Sequence, residues 1–445
     1  MFIDKNIKFY FIGIGGISMS ALAIYLTKKG FLVAGSDRSN SEIIKNLQSN
    51  NVNVVVGSRA YLIKRYDVIV YSSAVSDDNS ELKVAKELNK KILTRAELLS
   101  LILNSYRNTV GIAGSHGKTT ACCMLAHILR CANIPITAFI GGMDLDFDNL
   151  LTNGVNTAIS EVCEYKGNID KINTKTGVVL NIDSDHLDYY QNLQNLKKAF
   201  FFYLDRSKIK VVNVDDENLK SYANDGLITY AIQSKADYQA VNLRSVKGKY
   251  IFEVLRRGKH YLTCKLNVYG EHNVYNALSV IAVCDFVFKI SKENVYNGLL
   301  GYKGCKRRFE KLGEYNGAEV IADYCHHPSE IEKTLKVAKE LFNKNYLIVF
   351  QAHTYSRTKL LFEDFCKVFK NENVVFYKTY SARETFSNEG SIKKVAFKIS
   401  KNYIENFEEI KEFIVKNKNL KAILILGAGD VYDIAKKYFQ NKKRT

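Results

Sequence analysis

The sequence predicts an α/β protein of three domains in series, and three observations carry that expectation. Short apolar runs ending in glycine or an acidic residue recur along the chain, and each leads into a stretch with helical spacing. Such alternation is the pattern of parallel strands joined by crossover helices. Two of the runs open onto glycine-rich turns, Gly13–Gly16 and Gly114–Gly117, each of which starts a new series. The length of 445 residues, at roughly 100 to 200 per domain, and the 47% hydrophobic content allow two to four separate cores.

Residues 1–107 form the first expected domain. Lys8–Ile14 reads as a strand running into a glycine turn, and Met19, Leu22, Ala23 and Leu26 then share one helical face. Further strands are expected at Phe31–Gly35, Val52–Gly57 and Val68–Ser72. The turn Gly13-Ile14-Gly15-Gly16-Ile17-Ser18 is close to the G-x-G-x-x-G pattern, with Ser18 in the third glycine position. Glycines there let backbone N–H groups approach a diphosphate, and Asp37, ending the next strand, is placed to accept from a ribose. NAD binding is one reading of this turn, and any tight strand-to-helix turn over a phosphate is another.

The second domain, 108–309, opens on a strand at Thr109–Ala113 and a helix over Ala121–Leu129. Between them lies Gly114-Ser115-His116-Gly117-Lys118-Thr119-Thr120. Phosphate binding needs curled backbone N–H groups, a lysine for the terminal phosphates and a hydroxyl on Mg²⁺, roles that Gly117, Lys118 and Thr119 fit. ATP binding is the expectation, although Ile112 stands where the longer form of the motif has its first glycine. A strand over Thr157–Val162 carries Glu161, the candidate metal carboxylate, with Glu164 as the alternative that reaches. A strand over Gly177–Ile182 leads to Asp183, Asp185 and His186, side chains suited to a metal. From 226 to 268, turn signals such as Val246-Lys247-Gly248 and Arg257-Gly258 predict added antiparallel hairpins, and helices over His272–Phe288 and Lys292–Leu300 close the domain.

In the third domain, 310–445, a helix follows Pro328, and strands are expected at Tyr346–Phe350, Val374–Tyr377 and Ala422–Leu426. Asp323-Tyr324-Cys325-His326-His327-Pro328 and Gln351-Ala352-His353-Thr354-Tyr355-Ser356-Arg357 both join strand to helix with polar, anion-binding side chains.

Composition narrows the partners. The 64 Lys+Arg against 46 Asp+Glu give a net charge of +18, a field that draws in anions. The basic residues are dispersed, often as pairs such as Lys28-Lys29, Lys197-Lys198 and Lys436-Lys437, which reads mainly as solvated surface. Two prolines exclude proline-rich linkers, and nine cysteines without a regular framework read as reduced thiols. Met1–Asn6 lacks the marks of a signal peptide, and no apolar run reaches the ~18 residues of a membrane span. A cytoplasmic protein is expected.

In their order, these motifs resemble the Mur ligase family, which adds amino acids to the peptidoglycan precursor using ATP. The resemblance spans nearly the whole chain. It rests on Gly13–Gly16 followed by Met19-Ser20, Ser72-Ser73-Ala74-Val75, Gly114–Thr120, Asn181–His186, His272-Asn273 with Asn276, Arg307-Arg308-Phe309, Asp323–Pro328 and Gly427-Ala428-Gly429. It implies a Rossmann-like UDP-binding domain, a central P-loop ATPase domain with the added hairpins, and a Rossmann-like C-terminal domain that binds the amino acid and closes. The glycine turn then holds a UDP-sugar rather than NAD, through Gly13, Gly15, Gly16, Ile17, Ser18, Asp37, Ser72, Ser73 and Ala74.

By the same resemblance Gly114, Ser115, His116, Gly117, Lys118, Thr119 and Thr120 hold ATP, and Thr119, Glu161 and His186 hold Mg²⁺. Asn273 and Asn276 border the adenine, and Arg308 and Asp323 meet the nucleotide. Lys118, Glu161, His186, His326, His353 and Arg357 are implied in catalysis. The branch most resembled joins L-alanine to the lactyl carboxylate of UDP-N-acetylmuramate through an acyl phosphate. That implies two polyanionic substrates, no nucleic acid, and a monomer or weak homodimer.

Cys163 stands where the family has an Asp, Thr354 where an arginine is expected, and Tyr324-Cys325 where a small residue precedes the histidine pair. These departures bear on the amino-acid pocket rather than on phosphoryl transfer. Rival readings are a ligase of the same family for another amino acid or a recycled tripeptide, an NAD-dependent dehydrogenase using the first domain, a non-catalytic nucleotide-binding protein, and a folylpolyglutamate synthetase. The last has no need of a UDP-binding domain.

Overall fold

Three β-sheets organise the computed structural model, which describes residues 4–222, 226–417 and 419–441. Met1–Ile3 and the basic end from 442 onward lie outside the described residues. The first sheet holds β1 (Lys8–Ile12), β2 (Leu32–Asp37), β3 (Asn53–Val56), β4 (Val68–Tyr71) and β5 (Lys91–Thr94), in the order β3-β2-β1-β4-β5. Every pairing in it is parallel. Because side chains alternate along a strand, Phe9 and Phe11 of β1 enter one core, with Leu22, Leu26 and Leu99, while Tyr10 and Ile12 enter a second, with Ile69 and Leu82. Strand order reverses direction at β1 and β4. The crevice at their carboxyl ends, where such sheets bind ligands, therefore receives both Gly13–Gly16 and Ser72–Ala74.

The second sheet runs β15-β14-β13-β12-β11-β10-β6-β9-β7-β8. Its strands are β6 (Asn108–Ala113), β7 (Thr137–Asp144), β8 (Asp148–Thr152), β9 (Thr157–Glu161), β10 (Thr176–Val179), β11 (Ile209–Asn213), β12 (Leu227–Ala231), β13 (Tyr238–Val246), β14 (Lys249–Arg256) and β15 (Lys259–Tyr269). Central β6 is parallel to β9 and β10, so the segments leaving all three emerge at the same edge. The expected hairpins are present. Lys247-Gly248 (φ 51° and 73°) and Arg257-Gly258 (φ 49° and 78°) are each left-handed at both positions, which is the two-residue turn that matches strand twist. The antiparallel pair β7–β8 was not foreseen, because the glycines of Ile140-Gly141-Gly142 interrupt the apolar alternation.

The third sheet, β16-β17-β21-β18-β19-β20, combines β16 (Glu310–Tyr315), β17 (Ala318–Asp323), β18 (Tyr346–His353), β19 (Val374–Tyr380), β20 (Asn402–Ile404) and β21 (Ala422–Leu426). In it β16 runs antiparallel to β17, while the β17–β21, β21–β18, β18–β19 and β19–β20 pairings are parallel. Ile348, Phe350, Leu424 and Leu426 face one core, and Leu347, Val349, Ile423 and Ile425 the other. This alternation makes the runs continuously apolar.

The chain divides into two compact units. One comprises Met1–Leu243, Phe252–Leu266 and Asn273–Lys303, and the other Arg244–Ile251, Asn267–His272 and Gly304–Thr445. The first two sheets thus share a unit, and the hairpin ends go with the third. Among the described residues no helix is long and apolar enough to cross a membrane.

Candidate active site

In the first unit the glycine turn between β1 and the helix Ile17–Lys28 uses Gly13 at φ 75°, and Gly16 precedes the helix without a side-chain cap. Its N-terminal N–H groups stay open for an anion. Asp37 bonds the turn itself, accepting from Gly15 N at 2.8 Å, and a Cβ on Gly15 would lie 2.8 Å from that carboxylate. The turn after β4 is closed by Ala74 N donating to Ser72 Oγ at 3.1 Å, and Lys166 donates to Ser73 O at 3.2 Å. Ile17 and Ser18 begin the helix.

Gly114 (φ 140°) and Gly117 (φ 88°) shape the loop that follows β6. It is zipped to the segment after β10. Ser115 N donates to Asn181 O (3.0 Å), His116 N to Asn181 Oδ1 (2.9 Å), and Asn181 Nδ2 to His116 O (3.0 Å). His116 Nε2 lies 2.9 Å from Asp183 Oδ2, and Asp183 N donates to Ser115 Oγ at 2.8 Å. Thr119, one residue into the helix Lys118–Cys131, is buried, and Thr120 is half-buried.

Lys118 turns back over its own loop. Its Nζ donates to Gly114 O, to Ser115 O at 3.2 Å, and to both Glu164 oxygens at 3.1 and 3.2 Å. Burial opposes its charge, but Glu164, with smaller effects of Cys163 and Glu161, holds the ammonium above the ordinary lysine range. Glu164 is only 2% exposed and also lies 3.9 Å from His186 Nε2. His186 is left-handed (φ 56°), its amide accepted by Asp185 Oδ1 at 2.8 Å and its ring 5.0 Å from that of Tyr165. Glu161 is anchored differently, accepting from Gly141 N at 2.5 Å. Glu164 pairs with Lys118 and stands 3.9 Å from His186, while Glu161 adds a weaker attraction on the same ammonium. Cys163 sits among these charges, its thiol pushed up by burial and by Glu164 against Lys118 and Arg95.

Asn273 and Asn276, in the helix His272–Val283, are buried and joined by a 2.9 Å bond from Asn276 Nδ2 to Asn273 Oδ1. Asn276 abuts the phosphate loop, since a Cβ on Gly117 would stand 2.5 Å from its Oδ1. Carboxylate, imidazole and hydroxyl donors at Glu164, Glu161, His186 and Thr119 are the hard and borderline ligands a divalent cation takes, so these side chains fit the Mg²⁺ expected of them.

The second unit assembles its own cluster at the carboxyl ends of β17 and β18. Arg308 lies 3.8 Å from Glu330 and its guanidinium 5.2 Å from the Tyr324 ring centroid. Asp323 accepts from Phe309 N (3.0 Å) and Cys325 N (2.8 Å), and burial raises its carboxyl against the opposing pull of Arg308. His326 Nδ1 is 3.0 Å from Tyr324 O, and its ring lies 5.8 Å from that of His353. Arg357 Nη1 approaches His353 Nδ1 at 3.4 Å, and Tyr380 stacks on His353 at 5.6 Å. His326, His353 and Arg357 are therefore brought together, as are Arg308 and Asp323. Glu330, which reaches Arg308 and accepts from His326 N at 3.1 Å, was missed by sequence reasoning because helix-start acids are common without a site. Of the departures, Cys325 packs into the core, and Thr354 adopts φ 70° with its amide bonded to Tyr380 O.

Comparison with known proteins identifies the family. Three family models match in series: "Mur ligase family, catalytic domain" over 8–107, "Mur ligase middle domain" over 112–284, and "Mur ligase, glutamate ligase domain" over 307–429. The chain is 39% identical to the UDP-N-acetylmuramate--L-alanine ligase of Clostridium tetani, covering 96% of each. It is 36% identical to that of Caldicellulosiruptor saccharolyticus, covering 95% of this chain and 96% of the relative. Among solved structures, UDP-N-acetylmuramate-alanine ligase MurC from Thermotoga maritima superposes with a TM-score of 0.84 at 27% identity, covering 99% of each chain. Three models of one family in series over most of its length, and full-length relatives above 30% identity, show that the chain belongs to the Mur ligase family.

Proposed function

We propose that this protein is the ATP-dependent ligase that joins L-alanine to the lactyl carboxylate of UDP-N-acetylmuramate in peptidoglycan precursor synthesis. The observation that carries the reading is the placement of Lys118 between the phosphate-loop carbonyls and Glu164, in the same unit as the glycine turn after β1. The names of the full-length relatives support the same substrates.

A carboxylate is a poor acylating agent, so amide formation in water needs activation. Transfer of the γ-phosphoryl group of ATP to the lactyl carboxylate breaks the phosphoanhydride and forms an acyl phosphate. The amine of L-alanine then attacks the acyl carbon, loses a proton, and expels phosphate. Lys118, released from Glu164, is placed to neutralise the phosphoryl oxygens, and the N–H groups of the phosphate loop to cradle them. A bound Mg²⁺, for which Thr119, Glu164, Glu161 and His186 supply suitable donors, would add charge neutralisation on the same oxygens. Asn273 and Asn276 border the base, and His326, His353 and Arg357 serve the amino acid, its carboxylate suiting the guanidinium.

We further take the domains as 1–107 for the UDP-sugar, 108–309 for ATP and 310–445 for the amino acid, and the protein as a cytoplasmic monomer or weak homodimer. The test is phosphate release with ATP, Mg²⁺ and UDP-N-acetylmuramate, offering each amino acid in turn. Release that depends on both the sugar acid and L-alanine is expected. Release with glycine or L-serine alone would reassign the pocket, and no turnover with any acceptor would overturn the reading.

A further inference from the structure

Within the first unit a narrow cleft is lined by Ser18, Arg95, Leu99, Gly141, Ser160 and Glu161. One end is the first turn of the helix behind the glycine-rich turn, and the other is the carboxyl end of β9. A sugar acid whose diphosphate rested on the glycine turn would bring its carboxylate into this cleft, at the edge that faces the phosphate loop.

Arg95 is the cation of that wall, and the fold gives no structural reason for it. It is the first residue of the helix Arg95–Leu103, where the helix field disfavours positive charge. The helix is started by other residues. Thr94 Oγ1 accepts from Glu97 N at 3.3 Å and Thr94 N donates to Glu97 Oε2 at 2.7 Å, a reciprocal cap that makes no use of Arg95. Half-buried, Arg95 has neither ion pair nor hydrogen bond among the described residues. By contrast half-buried Arg206 in the same unit is spent on the carbonyls of Ile169, Asp170 and Ile172. A guanidinium held out of full solvent without a partner has five donors to offer a ligand.

We propose that Arg95 binds the carboxylate of the sugar acid in this cleft and presents it to the phosphate loop. The assignment rests on the ligase reading above and deepens it. A guanidinium fork matches a carboxylate with two N–H donors, and the match persists when one carboxylate oxygen has become the bridging oxygen of the acyl phosphate. Arg95 is then a substrate-binding residue for the activated group, separate from the diphosphate site on Gly13–Gly16.

The experiment compares wild type, Arg95→Ala and Arg95→Lys in the full chain. Calorimetry measures binding of UDP-N-acetylmuramate and of UDP-N-acetylglucosamine, which has the same diphosphate but no carboxylate, and phosphate release gives kcat and KM. Arg95→Ala is expected to weaken the sugar acid by about tenfold to a hundredfold, the range of a charged hydrogen bond, and to leave UDP-N-acetylglucosamine within about twofold. KM for ATP is expected to hold, and Arg95→Lys to recover part of the loss. Equal weakening of both sugar nucleotides, or of neither, overturns the assignment. Should Arg95→Ala melt well below wild type, Arg95→Lys carries the comparison, and its retention of full selectivity for the carboxylate over the neutral sugar with unchanged affinity would overturn the bidentate contact. Wild type that binds UDP-N-acetylglucosamine but not the sugar acid would sink the ligase reading itself, before any variant is compared.

Discussion

Gly117→Ala tests whether phosphate loop and adenine-side helix are in contact. Gly117 has φ 88°, and an alanine there pays about 1–2 kcal/mol for the left-handed backbone. Its Cβ would also stand 2.5 Å from Asn276 Oδ1, closer than such atoms approach, so Asn276 must turn away. Turning breaks the 2.9 Å bond to Asn273 between two buried side chains, about another 1 kcal/mol. The sum is roughly 2–3 kcal/mol of lost stability, and ATP binding should weaken with it. The assay is chemical denaturation of wild type, Gly117→Ala, Asn276→Ala and the double variant, with ATP affinity measured on each. Because Asn276→Ala removes the clashing atom, the double variant should be about 1 kcal/mol more stable than the sum of the singles implies. Strict additivity, or a Gly117→Ala protein within about 0.5 kcal/mol of wild type, would refute the reasoning.

Glu164→Gln removes the charge paired with Lys118 and facing His186, and should cut kcat for phosphate release about a hundredfold, while Glu161→Gln, which leaves that pair intact, should cost less; the reverse order would make Glu161 the more important acid at this edge. Asp215 gives a pH test. Burial acts to raise its carboxyl, but the N–H groups of Gln233, Ser234 and Ile232 outweigh it and hold the group below its ordinary 3.8. With the folded value below the unfolded one, its contribution is full above 3.8 and is lost as pH falls through the folded value. Asp215→Asn should therefore be less stable than wild type at neutral pH, with the gap narrowing in acid below that value. Urea midpoints across pH check it, and a gap that widens in acid would contradict the sign.

Much of this protein is readable before folding because its chemistry sits at strand ends. Gly114–Thr120 and Asn181–His186 announce themselves since glycine, lysine and acids interrupt apolar runs, and parallel pairing around β6 then puts them at one edge. Residues whose role depends on the path of irregular chain were harder. Glu164 reaches Lys118 because the chain after it kinks, with Lys166 at φ 49° and Gly167 at φ 68°, and no periodicity encodes that turn. Arg95 looks like an ordinary helix start behind a capping threonine, and becomes notable only when the cleft beside it is seen. Glu330 and His326 meet across Pro328, a spacing that reads as helix entry alone.

The paired bonds between Asn181 and His116 have one more effect. Both ends of the Asn181 amide engage the backbone of the opposite segment, so two loops that could each sample many shapes hold one shape between them. A mould of this kind is set during folding, and a nucleotide arriving at it loses its own freedom but not that of the loops. Recognition at this edge is then an exchange of partners, with Lys118 trading one anion for another, rather than the making of a site around its guest.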